Sequence, residues 1–388
     1  MKYKLKELAD ISSSKRIYYS EYTNKGIPFY RGKEIIEKSE NKDISNELFI
    51  SKERYEELKI KYGVPQKGDI IMTAVGTLGK CWLVDSTEFY FKDGNCLWFY
   101  NFNRKINNKY LYYYMCSNFF QNKIDNICIG STQKALTIQQ LKEVNINIPC
   151  IETQNKIVKI LDNICHKIRI NSQTNDNLYD MCNVIFHNYL DKYSEQVEYT
   201  KIVDIVDRVV TGKTPLTKNE EFWNGDIPFI TIPDMHNQIF TIDTERTISG
   251  VGAKSIIPEN SISVSCIATV GLVSISTKKS QTNQQINSIV LKNDYDLYYL
   301  FEFLSEQESF MKNIAGGSTT YNINKTTFEN IEIPYLPQNI IQEFHNTVCK
   351  LFDKIKLNQL ENKNLEQLRD TLLPKLMNGE IDLDKIEI

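Results

Sequence analysis

Two stretches of the chain repeat apolar residues in alternating steps of three and four, which is the spacing of a coiled-coil seam. The first stretch extends from Ile157 to Tyr189 and the second from Phe344 to Leu365. Each seam is interrupted by two asparagines, and the second pair stands 187 positions after the first. These four seam positions are Asn171, Asn175, Asn358 and Asn362.

A buried seam asparagine must find a polar partner, so it costs stability and fixes the register of two helices. The shared offset predicts two long helices that pack antiparallel, with Asn171 beside Asn362 and Asn175 beside Asn358. The alternative is a pair of surface helices whose asparagines face water.

The rest of the chain also occurs twice. Short matches recur in the same order at offsets that fall slowly from 200 to 185, which indicates a tandem duplication with loop insertions. The matched segments are Ile27-Pro28-Phe29 with Ile227-Pro228-Phe229, Gly76 with Gly271, Gly130-Ser131-Thr132 with Gly317-Ser318-Thr319, and Ile148-Pro149 with Ile333-Pro334.

Turn residues before apolar runs predict short strands, for example after Gly26 and over residues 69–73. Charge spacing and apolar period predict helices from Ser51 to Lys61 and from Asn108 to Asn122. We therefore expect a mixed α/β (α+β) protein with pseudo-twofold symmetry. Its two similar domains are residues 1–150 and 197–336, its first long helix lies in 151–196, and its second, with a C-terminal tail, in 337–388.

Composition is that of a soluble globular protein, with 388 residues, 41% hydrophobic and 24% charged. No signal peptide and no apolar run of about 20 residues is visible, which predicts a cytoplasmic protein. Residues 1–150 carry 23 Lys+Arg and 17 Asp+Glu, so this part has a net charge of +6 while the whole chain has −3. The excess permits a basic DNA-facing groove on the first domain.

Catalytic motifs are missing from the sequence. It has no Pro-Pro dipeptide of an amino-methylating enzyme and no glycine-rich turn for an adenosyl cofactor, and its histidines and cysteines lack metal-ligand spacing. Gly212-Lys213-Thr214 imitates a phosphate loop, but Asp207 stands where that loop needs a glycine. We expect no catalytic, cofactor-binding or metal-binding residue in this chain. A self-contained methyltransferase or nuclease is the competing enzyme class.

What remains is polar loop chemistry suited to DNA. Hydroxyls and lysines can hold phosphates, arginine and lysine can contact guanine, and asparagine and glutamine can pair with adenine. The candidate DNA-binding residues are Arg31, Lys33, Lys80, Ser131, Thr132, Gln133, Lys134, Lys213, Thr214, Thr269, Lys278, Lys279, Asn283, Gln284, Ser318, Thr319, Thr320 and Tyr321.

These residues and their order resemble the specificity subunit of type I restriction-modification systems over essentially the whole chain. The run from Leu368 to Ile381 is the most specific part of the likeness. The first half departs from the pattern, because it lacks a Gly-Lys-Thr-Pro loop and has Gly94-Asn95-Cys96 where an Asn-Gln pair is expected. Further segments that carry the resemblance are Gly130-Ser131-Thr132-Gln133-Lys134-Ala135-Leu136, Gly212-Lys213-Thr214-Pro215, Gly225-Asp226-Ile227-Pro228-Phe229, Ala268-Thr269-Val270-Gly271 and Asn283-Gln284.

The resemblance implies a non-catalytic subunit with two target-recognition domains, each reading one half of a bipartite double-stranded DNA target. It implies that the spacer helices set the gap and that two modification subunits dock on them to methylate adenine with S-adenosylmethionine. A restriction subunit that uses ATP and Mg would add DNA cleavage. The alternative of another class is a coiled-coil scaffold with two docking domains and no DNA.

Overall fold

The computed structural model describes residues 1–40, 42, 44–85, 87–128, 135–236, 238–316, 321–381 and 383. The chain forms two compact units. The first unit is Met1–Cys165 together with the C-terminal segment from Glu366, and the second unit is His166–Leu365. Both contain strands and helices, so the predicted mixed α/β fold is confirmed.

The first unit is built from short strands and helices, followed by the start of a 42-residue helix that continues into the second unit. Its elements are β1 Lys2–Lys4, β2 Asp10–Ser12, β3 Tyr22–Thr23, β4 Ile27–Tyr30, α1 Gly32–Ser39, β5 Phe49–Ile50, α2 Lys52–Tyr62, β6 Ile70–Thr73, β7 Cys81–Leu83, β8 Tyr90–Phe91, β9 Cys96–Tyr100, α3 Asn108–Cys116, α4 Asn118–Ile127, α5 Ile138–Lys142, β10 Asn145–Asn147 and α6 Ile151–Lys192.

Two four-stranded sheets organise the first unit, in the orders β2-β9-β6-β7 and β3-β5-β4-β8, and β1 pairs with β10. The larger core lies between the first of these sheets and the helices. Residues of both long helices join that core, including Ile157 and Leu161 from α6 and Leu373 and Leu376 from the C-terminal segment. Burial of these apolar side chains attaches the C-terminal segment to the first unit.

The second unit repeats this plan with longer strands. Its elements after α6 are β11 Glu198–Lys201, α7 Ile202–Ile205, β12 Val206–Thr211, β13 Trp223–Ile230, α8 Ile232–Met235, β14 Phe240–Thr241, β15 Arg246–Ile248, β16 Ile256–Ile257, β17 Ile262–Ser265, β18 Val273–Ser276, β19 Ser280–Thr282, β20 Ile286–Leu291, α9 Asp296–Ser305, α10 Glu308–Ile314, α11 Lys325–Glu329, β21 Glu332–Tyr335 and α12 Gln338–Asn378.

The sheets of the second unit have the orders β12-β20-β17-β18-β14 and β15-β13-β19-β16, and β11 pairs with β21. Their correspondence to the first unit is visible in the hydrogen bonds. Lys4 pairs with Asn145, and Lys201 with Glu332. Leu5 follows Lys4 in the first unit, and Ile202 follows Lys201 in the second. Each donates its N–H to a carbonyl of the neighbouring segment. The duplication is therefore present in the backbone geometry as well as in the sequence.

One predicted helix is wrong. The tyrosine-rich stretch from Asn108 to Asn122 forms two helices, α3 and α4, with Ser117 between them in an extended conformation. The Ser117 hydroxyl accepts the N–H of Phe120 and so caps the second helix. A serine inside an apolar period gave no visible signal for this break.

The two long helices pair in an antiparallel direction within the second unit. Asn171 Nδ2 donates to Asn362 Oδ1 at 2.9 Å, and Asn358 Nδ2 donates to Asn175 Oδ1 at 2.8 Å. These are the two pairs that the 187-residue offset predicts. Asn171 and Asn358 are 3% and 1% exposed, so these amides are buried seam residues and do not face water. Among the helices of the described ranges, none is long and apolar enough to cross a bilayer.

The seam pairs predict a double-mutant result. Asn358→Leu alone leaves the half-buried carbonyl of Asn175 without its donor and should lower the free energy of unfolding by about 1 kcal/mol. Asn175→Leu together with Asn358→Leu removes both polar groups and should restore or exceed the wild-type value. Urea unfolding of the three proteins measures this, and a double variant as unstable as the single one contradicts the pairing.

Glu302 of α9 is a buried carboxylic acid in the second unit, with no exposed surface. Burial, with a smaller contribution in the same direction from the nearby Glu306, raises its pKa to about 8, and neither of its carboxyl oxygens has a hydrogen-bond partner among the described residues. Because the folded pKa lies above the unfolded value, folding binds a proton, and stability should fall as pH rises from about 4.5 to 8.

Glu302→Gln removes that titration while keeping the shape of the side chain. At about pH 8 the variant should be more stable than the wild type by on the order of a few kcal/mol, whereas near pH 5 the two should be similar. The quantity to measure is the difference in unfolding midpoint between variant and wild type at the two pH values. A difference that does not change with pH would show that Glu302 titrates normally.

Candidate functional site

Polar loops gather at one end of the five-stranded sheet of the second unit. Gly212 N donates to Ile286 O at 3.1 Å, Cys266 N to Gln285 O at 2.7 Å, and Ala268 N to Tyr321 O at 3.0 Å. These bonds place the segments after β12 and β17 beside the turn before β20. We call this group, residues 212–214, 268–269, 283–285 and 321, the loop edge of the second unit.

The segment after β12 is held tightly against the turn before β20. A Cβ on Gly212 would lie 2.0 Å from the carbonyl oxygen of Asn283, so only glycine fits there. Lys213 N donates to Thr282 O at 2.9 Å, and Lys213 O accepts from Gln281 Nε2 at 2.6 Å. The backbone of Lys213 is therefore fixed while its ammonium group remains exposed.

Two predicted DNA contacts meet directly at this loop edge, because the Thr214 hydroxyl donates to Gln284 Oε1. Both side chains are exposed. Asn283 differs from them: it is 9% exposed, its Nδ2 donates to Gln285 Oε1 at 3.0 Å, and its Oδ1 accepts the N–H of Gln285 at 3.0 Å. Asn283 shapes the turn, and Gln284 is the amide presented to solvent.

Thr269 and Tyr321 complete the loop edge of the second unit. Both are exposed, and the bond from Ala268 N to Tyr321 O joins their segments. Ala268 has φ +65°, a left-handed conformation that costs an alanine about 1–2 kcal/mol. A strained residue next to exposed polar groups is a recognised feature of binding sites.

The first unit has a corresponding loop edge, built from other residues. Ala74 N donates to Asn95 O, as Cys266 N does to Gln285 O, and Lys92 N donates to Tyr30 O, as Asn283 N does to Ile230 O. Lys92 and Asp93 therefore occupy the positions of Asn283 and Gln284. The expectation that Gly94 and Asn95 stand there is wrong, because the first unit has one extra residue in this turn.

Lys15 and Arg16 take the positions of Lys213 and Thr214. The register of β2 on β9, in which Ser12 faces Trp98, corresponds to that of β12 on β20, in which Val210 faces Ser288. Lys15 stands three residues after Ser12, and Lys213 stands three residues after Val210. Lys15 and Arg16 were not among the predicted contacts, since no Gly-Lys-Thr motif marks them in the sequence.

Side-chain contacts support this correspondence. Lys15 N donates to the hydroxyl of Tyr90 at 2.8 Å, and Tyr90 occupies the strand position of Gln281, which holds Lys213. Burial raises the pKa of Tyr90, so its hydroxyl stays neutral and can accept this bond. Arg16 Nε contacts Asp93 Oδ2 at 3.1 Å, where the second unit has the contact between Thr214 and Gln284.

The glycine match between the two halves also needs correction. Gly79 N donates to Thr73 O at 2.9 Å, and Gly271 N donates to Ser265 O at 3.0 Å. Gly271 therefore corresponds to Gly79 and not to Gly76. The residue that corresponds to Gly76, with φ +77°, is Ala268. The sequence match aligned glycine with glycine and so lost the register by three residues.

The other predicted contacts of the first unit lie on or near α1. Arg31 donates through Nη2 and Nε to the two oxygens of Glu34, at 2.6 and 3.2 Å. Burial acts to raise the pKa of Glu34, but the hydrogen bonds from Arg31 outweigh it and lower the pKa. Arg31 is therefore held by a buried acid. Lys33 and Lys80 are exposed, with Nζ 3.8 Å from Glu37 and 3.7 Å from Glu40.

Not every predicted contact joins the loop edge. Lys278 and Lys279 are exposed on the turn after β18, at the opposite end of that strand, where Asn260 N donates to Ser276 O. The remaining candidates lie outside the described residues. These are Ser131, Thr132, Gln133, Lys134, Ser318, Thr319 and Thr320.

Comparison with known proteins identifies the family. The model of the type I restriction modification DNA specificity domain matches residues 1–179 and 194–368. The type I restriction enzyme HindI specificity subunit of Haemophilus influenzae is 34% identical over 331 residues, which are 65% of this chain and 72% of that protein. The chain belongs to the type I restriction-modification specificity family.

Other members and one structure agree. The MjaIX specificity subunit of Methanocaldococcus jannaschii is 34% identical over 203 residues, 50% of this chain and 46% of that protein. The crystal structure of the type I restriction-modification S subunit from M. genitalium shares the fold, with a TM-score of 0.60 and 16% identity over 97% of this chain and 95% of that one. Specificity subunits are the non-catalytic members of type I systems. The described part of this chain has no cluster of three or more His, Cys, Asp or Glu side chains that could hold a metal ion.

The strained turn gives a prediction with a matched control. Ala268→Gly should raise the free energy of unfolding by about 0.5–1 kcal/mol, since glycine adopts a positive φ without strain but has a more flexible unfolded state. Gly76→Ala in the first unit should lower it by a similar amount, because no described atom lies within 4 Å of the added Cβ and only the backbone is affected. Urea unfolding measures both, and equal signs would contradict the assignment.

Proposed function

We propose that this chain is the DNA-reading subunit of a type I restriction-modification complex and that each unit reads one half of a bipartite target. The residues that we assign to reading are those of the two loop edges. In the second unit they are Lys213, Thr214, Thr269, Gln284 and Tyr321, and in the first unit Lys15, Arg16, Lys92 and Asp93.

The observation that carries the proposal is the repetition of the loop edge with different side chains. The backbone hydrogen bonds that join the strand ends recur, from Ala74 and Lys92 in the first unit and from Cys266 and Asn283 in the second, while Lys92 and Asp93 replace Asn283 and Gln284. A scaffold that stays constant while its exposed donors and acceptors change suits a reader of base edges, because each base pair shows its own pattern in the major groove. The lysines suit phosphate contacts that set position.

We further propose that two modification subunits dock on the long helices, which set the gap between the half-sites. Within the second unit, Ile170, Met181, Val184 and Leu357 are 43%, 52%, 58% and 61% exposed. Each stands one position before a seam residue, so all four lie on one flank of the antiparallel pair. Exposed apolar side chains along one flank fit a helical partner.

The cofactors belong to the partners under this proposal. Modification subunits would supply S-adenosylmethionine and methylate adenine, and a restriction subunit, where present, would supply ATP and Mg. The residues of this chain would bind and orient the duplex. The scaffold alternative requires no DNA affinity and is tested by the same experiment.

Mapping of methylated adenines tests the function. A genome that expresses the modification subunits with this chain should carry methylated adenines in one bipartite motif, and these should vanish when the chain is omitted.

Purified chain should bind duplex DNA with an affinity that falls steeply with salt, by about 0.9 log units per tenfold change in salt for each phosphate contact. Binding that does not depend on salt, or an unchanged methylation map, contradicts the proposal.

Paired variants test the division of labour between the units. Lys213→Ala with Thr214→Ala should relax the sequence requirement at one half-site only, and Lys15→Ala with Arg16→Ala at the other half-site. The salt slope should fall by about 0.9 for the first pair, which removes one cation, and by up to about 1.8 for the second pair, which removes two. Lys201→Ala, an exposed lysine of the second unit outside the loop edge, is the control and should leave the map unchanged. Loss of both half-sites from either pair would refute the division.

A further inference from the structure

Two large side chains stand exposed beside the loop edges with no role in the core. Tyr18 in the first unit is 63% exposed, and Leu216 in the second unit is 69% exposed. Each follows the basic residue of its loop edge by three positions, Lys15 in one case and Lys213 in the other. An isolated exposed apolar residue is ordinary, but recurrence at one corresponding place in both units is a pattern to be explained.

The local backbone shows that the two positions correspond. Tyr18 O accepts the N–H of Glu21 at 2.9 Å, and Leu216 O accepts the N–H of Asn219 at 3.1 Å, so each side chain opens the same kind of turn. The offset from Tyr18 to Leu216 equals the offset from Lys15 to Lys213 and from Glu21 to Asn219. No residue has been inserted between the lysine and the exposed side chain.

The backbone at both positions is rigidly held although the side chains are not. Tyr18 N donates to Glu21 Oε2 at 2.7 Å. Leu216 O accepts from the indole of Trp223 at 3.3 Å, and that indole is largely buried. A fixed backbone that presents a bulky side chain to solvent is preorganised for insertion, because little conformational entropy is lost when the side chain is enclosed.

We infer that Tyr18 and Leu216 are wedge residues that enter the base stack of duplex DNA at their half-sites. The inference rests on the proposed function and deepens it. Proteins that bend DNA insert apolar side chains between base steps and kink the duplex by about 20–90°. The neighbouring Lys15 and Lys213 would hold a phosphate beside the opened step, which fixes where the wedge enters.

The two wedges differ in chemistry, and the difference matters once each side chain lies between base pairs. A leucine can only fill the space between separated base pairs, whereas a tyrosine ring can also stack on a base. Tyr19, which is 88% exposed, stands next to Tyr18, while the second unit has Thr217 at that place. The first unit therefore offers the larger stacking surface.

The test uses the full-length chain and a short duplex that carries the motif found by methylation mapping, labelled with a dye at each end. Binding of the wild type should raise energy transfer between the dyes, because the ends approach as the duplex bends. Tyr18→Ala and Leu216→Ala should each lose part of this rise, about 20° of bend or more, and the double variant should lose nearly all of it.

Matched variants separate a wedge from general loss of apolar surface. Ile60→Ala and Tyr199→Ala remove side chains that are 85% and 74% exposed, and they should bend the duplex as the wild type does. Tyr18→Phe and Leu216→Met keep the bulk and should also retain the bend. 2-Aminopurine placed in the motif should brighten on binding of the wild type and stay dark with the double variant, since unstacking is lost.

Four outcomes would overturn the inference. A wild-type complex that leaves the duplex straight, or alanine variants that bend it fully, refutes the wedges while leaving DNA reading intact. Retained bending combined with loss of modification-subunit binding in both alanine variants would assign the two side chains to a protein contact. A chain that binds no duplex at low salt refutes the proposed function itself.

Discussion

The asparagine pairs of the long helices, each with one buried and one half-buried member, are the constraint on which the arrangement of the second unit depends. An amide removed from water must keep a hydrogen bond, and leaving one unpaired costs about 1–3 kcal/mol. In the observed register Asn171 meets Asn362. A slip of one heptad would instead place Asn171 against Ile355, a fully buried core residue. Apolar seam residues tolerate such a slip, so the amides select one register among several of similar hydrophobic burial.

A fixed scaffold lets the exposed side chains change without loss of the fold. The hydrogen bonds that join the strand ends use backbone N–H and C=O groups, which every residue except proline provides. Lys92 can therefore replace Asn283 while the bond to the neighbouring parallel strand is kept. Where a side chain does hold the backbone, the two units use different residues for the same task, as Tyr90 and Gln281 do for the lysine segments. The strand-end bonds thus use backbone atoms, and the side chains that we propose to read DNA can differ between the units.

This separation explains what the sequence could and could not predict. The seam asparagines have a fixed spacing, so their partners followed from counting, and Lys213 was marked by the adjacent glycine and threonine. Lys15, Arg16 and Lys92 had no such mark. Their places depend on strand register, and one extra residue before Asn95 shifts the count by one.

The match of Gly76 with Gly271 was wrong for a related reason. The turn after β6 or β17 requires a positive φ at two places, and the second unit meets one of them with Ala268 at a cost in strain. A comparison that pairs identical residues does not find positions that share a backbone conformation but have different residues. The break at Ser117 is similar, because a serine inside an apolar period is compatible with either one helix or two.

The chemistry of the two loop edges argues that they do not present the same surface to a ligand. Gln284 offers one amide with both donors and an acceptor, and it is neutral. Arg16 and Asp93 offer a cation that only donates and an anion that only accepts. An ion pair whose arginine is exposed and whose aspartate is half-buried contributes about 1 kcal/mol or less, so Arg16 can leave Asp93 for a phosphate or a base at little cost. A neutral amide can select a base by the positions of its donors and acceptor. The members of an ion pair that separates easily are instead drawn to groups of opposite charge. Under the proposed function, two units with one backbone plan but these different groups would prefer different base sequences, so a target read by both would be asymmetric.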